Sequence, residues 1–334
     1  MPAPNDNARA VDQRVAHFDR SDRVRLEILG PDRSKFLHNL TTNDLKKRPV
    51  GQGCESFVTS LQGKTLGYAT FLIEDDRVLL RTDPGGLEHV SPHFLKYGAL
   101  DEVEWLDVSD QSFEHHLAGP KAAELLALLG VEIPAEGALN HGAARIADRP
   151  LRVARESLIG PSGFTVIGDR ADAPAVLEAI RGTGESIGLA ELTPRDFEAL
   201  RIEAGTPVFG QDVTEKNLPQ EVGRDDQAIS FVKGCYLGQE TVARIDALGH
   251  VNRLLKGLRI AGDTPPPPGS VLKAVDKEVG TITSASISLR SGEPIALAYV
   301  RSTQARPGTT LTVLDPEGRE TTATVADLPM FPGS

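Results

Sequence analysis

Strand-like and helix-like patterns of hydrophobic residues follow one another twice in the first half of the chain. Arg25–Gly30 alternates like a strand and is followed by Pro31–Leu40, which has helical spacing; Phe113–Gly119 and Pro120–Leu129 repeat this order. A Gly-Pro pair stands at both junctions, and proline suits a first helical position because its missing N–H needs no partner there. The pattern therefore predicts two strand–helix units, which are either an internal duplication or two unrelated junctions.

Turn and cap residues predict a hairpin and a helix in the middle of the chain. Gly67–Ile73 and Arg77–Arg81 are strand-like, and the acidic pair between them at positions 75 and 76 indicates a turn. Thr193, followed by proline, has the features of a helix N-cap, and Gly205 is typical of a helix end.

A small β-domain is predicted for residues 252–330. The tract Pro265–Gly269 excludes a helix or a central strand, because proline has no N–H to donate. Short β-like runs follow this tract at Glu278–Ser284, Ile295–Val300, Thr310–Leu314 and Thr321–Ala326. Their spacing is typical of a small barrel or sandwich.

Composition and charge narrow the class of protein. The 334 residues have a net charge of −11 and contain 5% aromatic residues, which argues against a nucleic-acid surface. No apolar run is long enough for a transmembrane helix, and residues 1–14 are expected to form a disordered tail without the apolar segment of a signal peptide. Two widely separated cysteines, Cys54 and Cys235, fit reduced thiols in the cytoplasm better than a disulfide.

One glycine-rich segment, Phe231–Arg244, combines several chemically useful groups. Cys235 follows Lys233 and precedes a helix expected to start near Gly238, and both a cation and a helix N-terminus favour a thiolate. The alternative is that Cys235 is a small buried side chain in a tight turn, with Cys54 structural in either case. No CxxC or H-E-x-x-H pattern occurs, so a resident metal site is not expected.

The string Lys233-Gly-Cys-Tyr-Leu-Gly-Gln-Glu240 resembles the signature K-G-C-[FY]-x-G-Q-E of the YgfZ family. That family is related to the aminomethyltransferase, or T protein, of the glycine cleavage system. Further elements of the family have counterparts at residues 36–44, 200–207 and 217–221, and the resemblance covers roughly residues 20–330. It implies an α+β fold with a folate-binding region of several subdomains over residues 15–250, followed by a C-terminal β-barrel.

The resemblance also implies a cofactor and a set of site residues. The cofactor is tetrahydrofolate or another reduced folate, and Glu203 matches the family's glutamate in "LRxEaG". The expected folate-binding residues are Glu203, Tyr236, Gln239, Glu240 and Arg244. Cys235 is the candidate functional thiol, with Lys233 beside it.

The chain departs from true aminomethyltransferases at the expected catalytic aspartate. Residues 62–68 read Gln-Gly-Lys-Thr-Leu-Gly-Tyr, so that Gly67 and Tyr68 take the place of the acids. Neither side chain can accept a proton at neutral pH as a carboxylate does. The sequence therefore favours a protein that is not an aminomethyltransferase.

The motif, the resemblance and the missing acid leave three possible functions. The preferred one is a monomeric, tetrahydrofolate-binding accessory protein that supports assembly or repair of iron–sulfur proteins, its clients. The second is a tetrahydrofolate-dependent aminomethyltransferase or demethylase. The third is an enzyme that uses Cys235 as nucleophile, for which His250 is the one histidine nearby in sequence.

Overall fold

The computed structural model describes residues 5–331 and contains two open sheets and a closed barrel. The strands are β1 Val15–Asp19, β2 Val24–Leu29, β3 Gly53–Thr59, β4 Thr65–Ile73, β5 Val78–Thr82, β6 Glu104–Asp107, β7 Ser112–Ala118, β8 His141–Ile146, β9 Arg149–Arg155, β10 Gly163–Asp169, β11 Leu189–Glu191, β12 Arg253–Ile260, β13 Val271–Ala274, β14 Lys277–Ile287, β15 Pro294–Arg301, β16 Thr310–Leu314 and β17 Glu320–Ala326. The α-helices are α1 Asp6–Gln13, α2 Arg33–Leu40, α3 Gly86–Tyr97, α4 Ala122–Leu128, α5 Ala173–Glu185, α6 Pro194–Ala204, α7 Asp225–Ala228 and α8 Gln239–Leu248.

The two open sheets each contain one of the predicted strand–helix units. The five-stranded sheet has the order β3-β4-β5-β2-β6, and the six-stranded sheet has the order β11-β1-β7-β10-β9-β8. Helix α2 follows β2, and α4 follows β7, as the pattern predicts. However, both helices begin two residues after the proline, so Pro31 and Pro120 lie in the turn and not at the first helical position.

Apolar side chains from α2 and α3 cover one face of the five-stranded sheet. Phe36 and Phe94 are buried there against Leu26 and Phe71. A separate core lies between α4, α5 and the six-stranded sheet, with Leu125, Val166 and Ile180 among its residues.

Helix α6 packs between the six-stranded sheet and the barrel, and it begins and ends where the sequence predicts. The Thr193 hydroxyl accepts a hydrogen bond from the backbone N–H of Asp196, whose carboxylate accepts the Thr193 N–H in return. Gly205 ends the helix with φ 77°, in the left-handed region that glycine tolerates. The buried guanidinium of Arg201 then contacts Asp212 and Ser284, the latter in the barrel.

The barrel closes in the order β12-β15-β14-β13-β16-β17, with β17 hydrogen-bonded to β12. This confirms the predicted α+β fold with a C-terminal β-barrel, and its last four strands overlap the four predicted runs. Among residues 5–331, no helix is both long enough and apolar enough to cross a membrane.

The expected disordered tail is wrong for the part of it that the structure describes. Residues 1–4 lie outside the described residues, but Asp6–Gln13 forms α1, whose N-cap Asn5 accepts the N–H of Asn7. Ala8, Ala10 and Val11 are fully buried, and Ala10 and Val11 pack against residues of the six-stranded sheet and α6. Two alanines and one valine give a weak hydrophobic pattern, which is why this helix was not apparent from the sequence.

Candidate functional site

A narrow central cavity of about 40 Å³ has charged walls contributed by both open sheets and by the segment after α6. Arg20, Asp83 and Glu156 line it, together with Glu55 and Arg224. The Arg20 guanidinium donates to Asp83 at 3.0 Å, and the other Asp83 oxygen accepts the backbone N–H of Phe209. Ion pairs therefore fix the charged side chains on the walls of this cavity.

A buried ion network supports one wall of this cavity. Arg81 is fully buried and donates to Glu114 at 2.8 and 3.0 Å and to Glu156 at 2.7 Å. These contacts, despite burial, keep the pKa of Glu114 and Glu156 below the usual range. Two buried atoms that line or adjoin the cavity, Glu156 Oε1 and Arg23 Nε, have no hydrogen-bond partner within residues 5–331. Each has an oppositely charged group at a longer distance: Arg23 Nε lies 3.8 Å from Asp83, and Glu156 Oε1 lies 3.9 Å from the Arg23 guanidinium.

Tyr68 faces the central cavity at the position where the sequence lacks the expected acid. Its hydroxyl donates to Glu55, and Arg224 Nε donates to the same Glu55 oxygen at 2.9 Å. Loss of water around the Tyr68 hydroxyl, reinforced by the charge of Glu55, holds its pKa well above the usual value. Tyr68 therefore stays protonated, and the nearest carboxylate is already paired with an arginine.

The neighbouring Gly67 is directed to the other face of the sheet. A Cβ atom built there would lie 2.7 Å from Cγ2 of Val90 in α3, inside the hydrophobic core. An aspartate at this position would displace core side chains and would not reach the cavity. Tyr68 is thus the residue of the pair whose side chain occupies the cavity wall.

Glu203 lines a second cavity, of about 150 Å³, between the end of α6 and the barrel. Its carboxylate, 1% exposed, accepts the Ser288 hydroxyl at 2.6 Å and is paired with the Arg290 guanidinium. Ser157, Thr206 and Arg224 line this cavity and the central one, so the two lie next to each other. Glu203 therefore lies beside the central cavity, although its carboxylate already has protein partners.

Cys235 lies in the loop before α8, on a different cavity. Its side chain is exposed, and it lines an open groove of about 710 Å³ with Leu61, Tyr97 and the first turn of α8. This groove shares no lining residue with the central cavity or with the cavity at Glu203. Cys54, in contrast, is buried in the five-stranded sheet, and burial raises the pKa of its thiol to about 11.

The loop is fixed by a close approach that requires glycine. Gly238 has φ 84°, and a Cβ atom there would lie 2.3 Å from the carbonyl oxygen of Ser60. The hydroxyl of Thr59 also donates to the Leu237 carbonyl at 2.7 Å. The turn between β3 and β4 therefore holds the Cys235 loop in place, which a short motif could not reveal.

Lys233 is buried, and its ammonium has backbone partners far from it in the sequence. It is 6% exposed, and its ammonium donates to the backbone carbonyls of His38, Thr41 and Asn43 at 2.6, 2.6 and 2.8 Å. Burial lowers its pKa to about 7, while three acceptors favour the ammonium form, which has three N–H groups to offer. The Lys233 ammonium therefore binds the end of α2, and its action on the Cys235 thiol stays a prediction.

The remaining predicted residues surround the outer groove. Tyr236 is buried with its ring 4.7 Å from the Lys233 ammonium, and burial raises the pKa of its hydroxyl. Gln239 and Glu240 line the groove at the start of α8, whereas Arg244 is exposed and does not line it. The structure therefore brings Cys235, Tyr236, Gln239 and Glu240 together and separates them from Glu203.

Sequence analysis missed the residues that shape the central cavity. Glu55, Arg224, Arg20, Asp83 and Glu156 are far apart in the chain and follow no motif. The signal that could have indicated this cavity is the presence of charged residues inside buried strands, such as Arg81 in β5 and Glu114 in β7. No group of three or more His, Cys, Asp or Glu residues in the described part of the chain has the arrangement of a metal site.

Comparisons with known proteins agree with this architecture. Residues 1–230 match the model of the GCVT N-terminal domain, and residues 253–332 match that of the glycine cleavage T-protein C-terminal barrel domain. The crystal structure of the glycine cleavage system aminomethyltransferase T from Bartonella henselae superposes with a TM-score of 0.85 at 20% identity, over 99% of this chain and 91% of that one. At that identity the superposition establishes the fold.

Sequence relatives cover nearly the whole chain. A chloroplastic protein of Arabidopsis thaliana that bears the name of a presumed transferase is 29% identical over 96% of this chain and 72% of its own length. The aminomethyltransferase of Saccharopolyspora erythraea is 28% identical over 96% of this chain and 88% of its own length. Together with the two matched domains, these relatives show that the chain belongs to the glycine cleavage T-protein family of aminomethyltransferase-like, folate-dependent proteins.

Proposed function

We propose that this protein binds a reduced folate and acts as an accessory protein in the assembly or repair of iron–sulfur proteins. The observation that carries this proposal is the exposed thiol of Cys235, on a groove separate from the cavities at Tyr68 and Glu203. A thiol outside the folate region can contact another protein while folate is bound. The resemblance of residues 233–240 to the YgfZ signature supports the same function. We further propose that the protein acts as a monomer in the cytoplasm, where both thiols stay reduced.

Folate would bind at the adjoining central cavities. A pterin presents several N–H donors along one edge, and Glu203 and Glu156 supply carboxylate oxygens there. Glu156 Oε1 has no hydrogen bond within residues 5–331, although the Arg23 guanidinium lies 3.9 Å from it. Both cavities are smaller than the roughly 300–1,000 Å³ typical of ligand sites. A whole folate would therefore require them to join, and Arg224 is the longest of the three side chains that line both cavities.

Glu203→Gln is expected to raise the dissociation constant for tetrahydrofolate about tenfold or more. The reason is that the amide replaces one acceptor oxygen by a donor and removes the charge that strengthens the hydrogen bonds. Isothermal titration calorimetry measures this change directly. Glu185→Gln, the same substitution at an exposed site on α5, is the matched control and should leave the affinity unchanged. Equal affinity of the wild type and Glu203→Gln would remove Glu203 from the site.

One-carbon transfer is the second candidate function, favoured by the aminomethyltransferase names of the relatives. The site argues against it, because Tyr68 stays protonated and Glu55 is paired with Arg224. We therefore expect little or no methylene transfer from an aminomethyl-lipoyl carrier protein to tetrahydrofolate. The assay compares product formation by this protein with that by a genuine T protein. Comparable turnover would mean that the protein is a one-carbon transferase.

A further inference from the structure

A further cavity, of about 320 Å³, lies at the C-terminal end of α8, away from the Cys235 loop at its other end. Its walls come from α8, from α7, from the short 3-10 helix Pro219–Val222 and from the start of β12. Ile245, Val251 and Leu254 provide apolar surface on these walls. Neither the folate proposal nor the Cys235 motif uses this cavity.

Gln220 lines this cavity and has a buried acceptor without a hydrogen-bond partner in the described part of the chain. The residue is 5% exposed, and its amide nitrogen donates to the Val242 carbonyl at 2.7 Å. Because a carbonyl can only accept, this contact fixes which end of the amide faces α8. The amide oxygen is left without a hydrogen bond within residues 5–331.

Two carboxylates add negative charge to the same walls. Asp225 and Asp246 line the cavity, and no ion pair among the described residues includes either of them or the adjacent Asp226. Oδ1 of Asp225 is buried and has no hydrogen-bond partner within that same range. Burial, together with the charges of Asp226 and Asp246, raises the pKa of Asp225 to about 6.

The C-terminus of α8 adds partial negative charge to this cavity. Its last turn closes at Gly249, whose N–H is shared between the carbonyls of Ile245 and Asp246. The C-terminus of a helix carries partial negative charge, which favours a nearby cation. The cavity therefore has two carboxylates and an amide oxygen on its walls, and no lysine or arginine of the described chain lines it. The other polar residues of the lining are Ser302 and His250, whose Nδ1 donates to the Leu248 carbonyl.

We propose that this cavity binds an ammonium group, carried by a small alkylamine or by a lysine side chain of another protein. An ammonium has three N–H donors, and Gln220 Oε1 and Asp225 Oδ1 are two acceptors that lack a partner. The alkyl chain would lie on the apolar surface of Val251 and Leu254. This proposal does not depend on folate binding or on the role of Cys235.

The test is an NMR titration of the isotope-labelled full-length protein with n-butylammonium chloride, with 1-butanol as the neutral analogue. Saturable shifts are expected at the Gln220 side-chain amide and at the backbone around Gly249 with the amine and not with the alcohol. Asp225→Asn should weaken binding about tenfold, since one charged acceptor is lost. Asp246→Asn removes the charge of the second carboxylate on the same walls. Asp276→Asn, in an exposed turn of the barrel, is the control and should leave the affinity for the amine unchanged.

A third titration, with Nα-acetyl-lysine methylamide, identifies the source of the ammonium group. Tighter binding than n-butylammonium points to a lysine of a partner protein, and equal or weaker binding points to a free amine. Equal shifts with butanol, or wild-type affinity in both Asp225→Asn and Asp246→Asn with melting temperatures unchanged, would overturn the site. Methylene transfer and iron–sulfur activity play no part in this readout, so its failure is distinguishable from theirs.

Discussion

Replacing Arg81 by methionine is expected to lower the free energy of unfolding by about 3–5 kcal/mol. Arg81 is fully buried and is the shared partner of Glu114 and Glu156. Methionine fills much of the same volume but leaves two buried carboxylates without their main counter-charge. They must then take up protons or draw in water, and both responses oppose folding. Urea denaturation followed by circular dichroism measures the change.

Arg181→Met is the matched control, because Arg181 forms an ion pair with Glu191 that is largely exposed. Such pairs contribute only about 0–1 kcal/mol. A large difference in the free energy of unfolding is therefore expected between the two variants. Similar, small losses in both would mean that the buried network around the central cavity does not stabilise the fold.

Lys233→Met is expected to lower the free energy of unfolding by about 2–4 kcal/mol, because three buried carbonyl groups lose a charged donor. These carbonyls belong to His38 in the last turn of α2 and to Thr41 and Asn43 just after it. The side chain of methionine reaches the same space but donates no hydrogen bond. Thermal and urea unfolding measure the loss.

Lys64→Met makes the same change at an exposed position in the turn before β4 and is expected to shift stability by less than about 0.5 kcal/mol. If Lys233→Met were as stable as Lys64→Met, the three short contacts would have little energetic value. That outcome would favour direct action of Lys233 on the Cys235 thiol.

Local signals were sufficient for much of the fold. The limits of α6 follow from a threonine cap, a proline in the first turn and a glycine end, all of which act within a few residues. The last four barrel strands are short β-like runs separated by turns and could be recognised one by one, whereas β12 and β13 were not predicted. Helix α1 was not predicted because its buried face consists of small residues.

The candidate site was less predictable because it depends on contacts between distant segments. Tyr68, Glu55 and Arg224 meet at one cavity wall, but no pattern in the sequence links them. The motif around Cys235 was correctly recognised as a loop before a helix, yet nearness in sequence said nothing about where the long side chain of Lys233 points. Its partners lie more than 180 residues away along the chain, at the end of α2.

The most direct test of the proposed function replaces Cys235 by alanine in a cell that lacks its own copy of the protein. The activity of several iron–sulfur enzymes is measured together with the melting temperature of the variant. Because Cys235 is exposed, the account predicts an unchanged melting temperature and enzyme activities no higher than without the protein. Cys54→Ala, at a buried site, should lower the melting temperature but still support the enzymes. Full restoration of the iron–sulfur enzymes by Cys235→Ala would contradict the account.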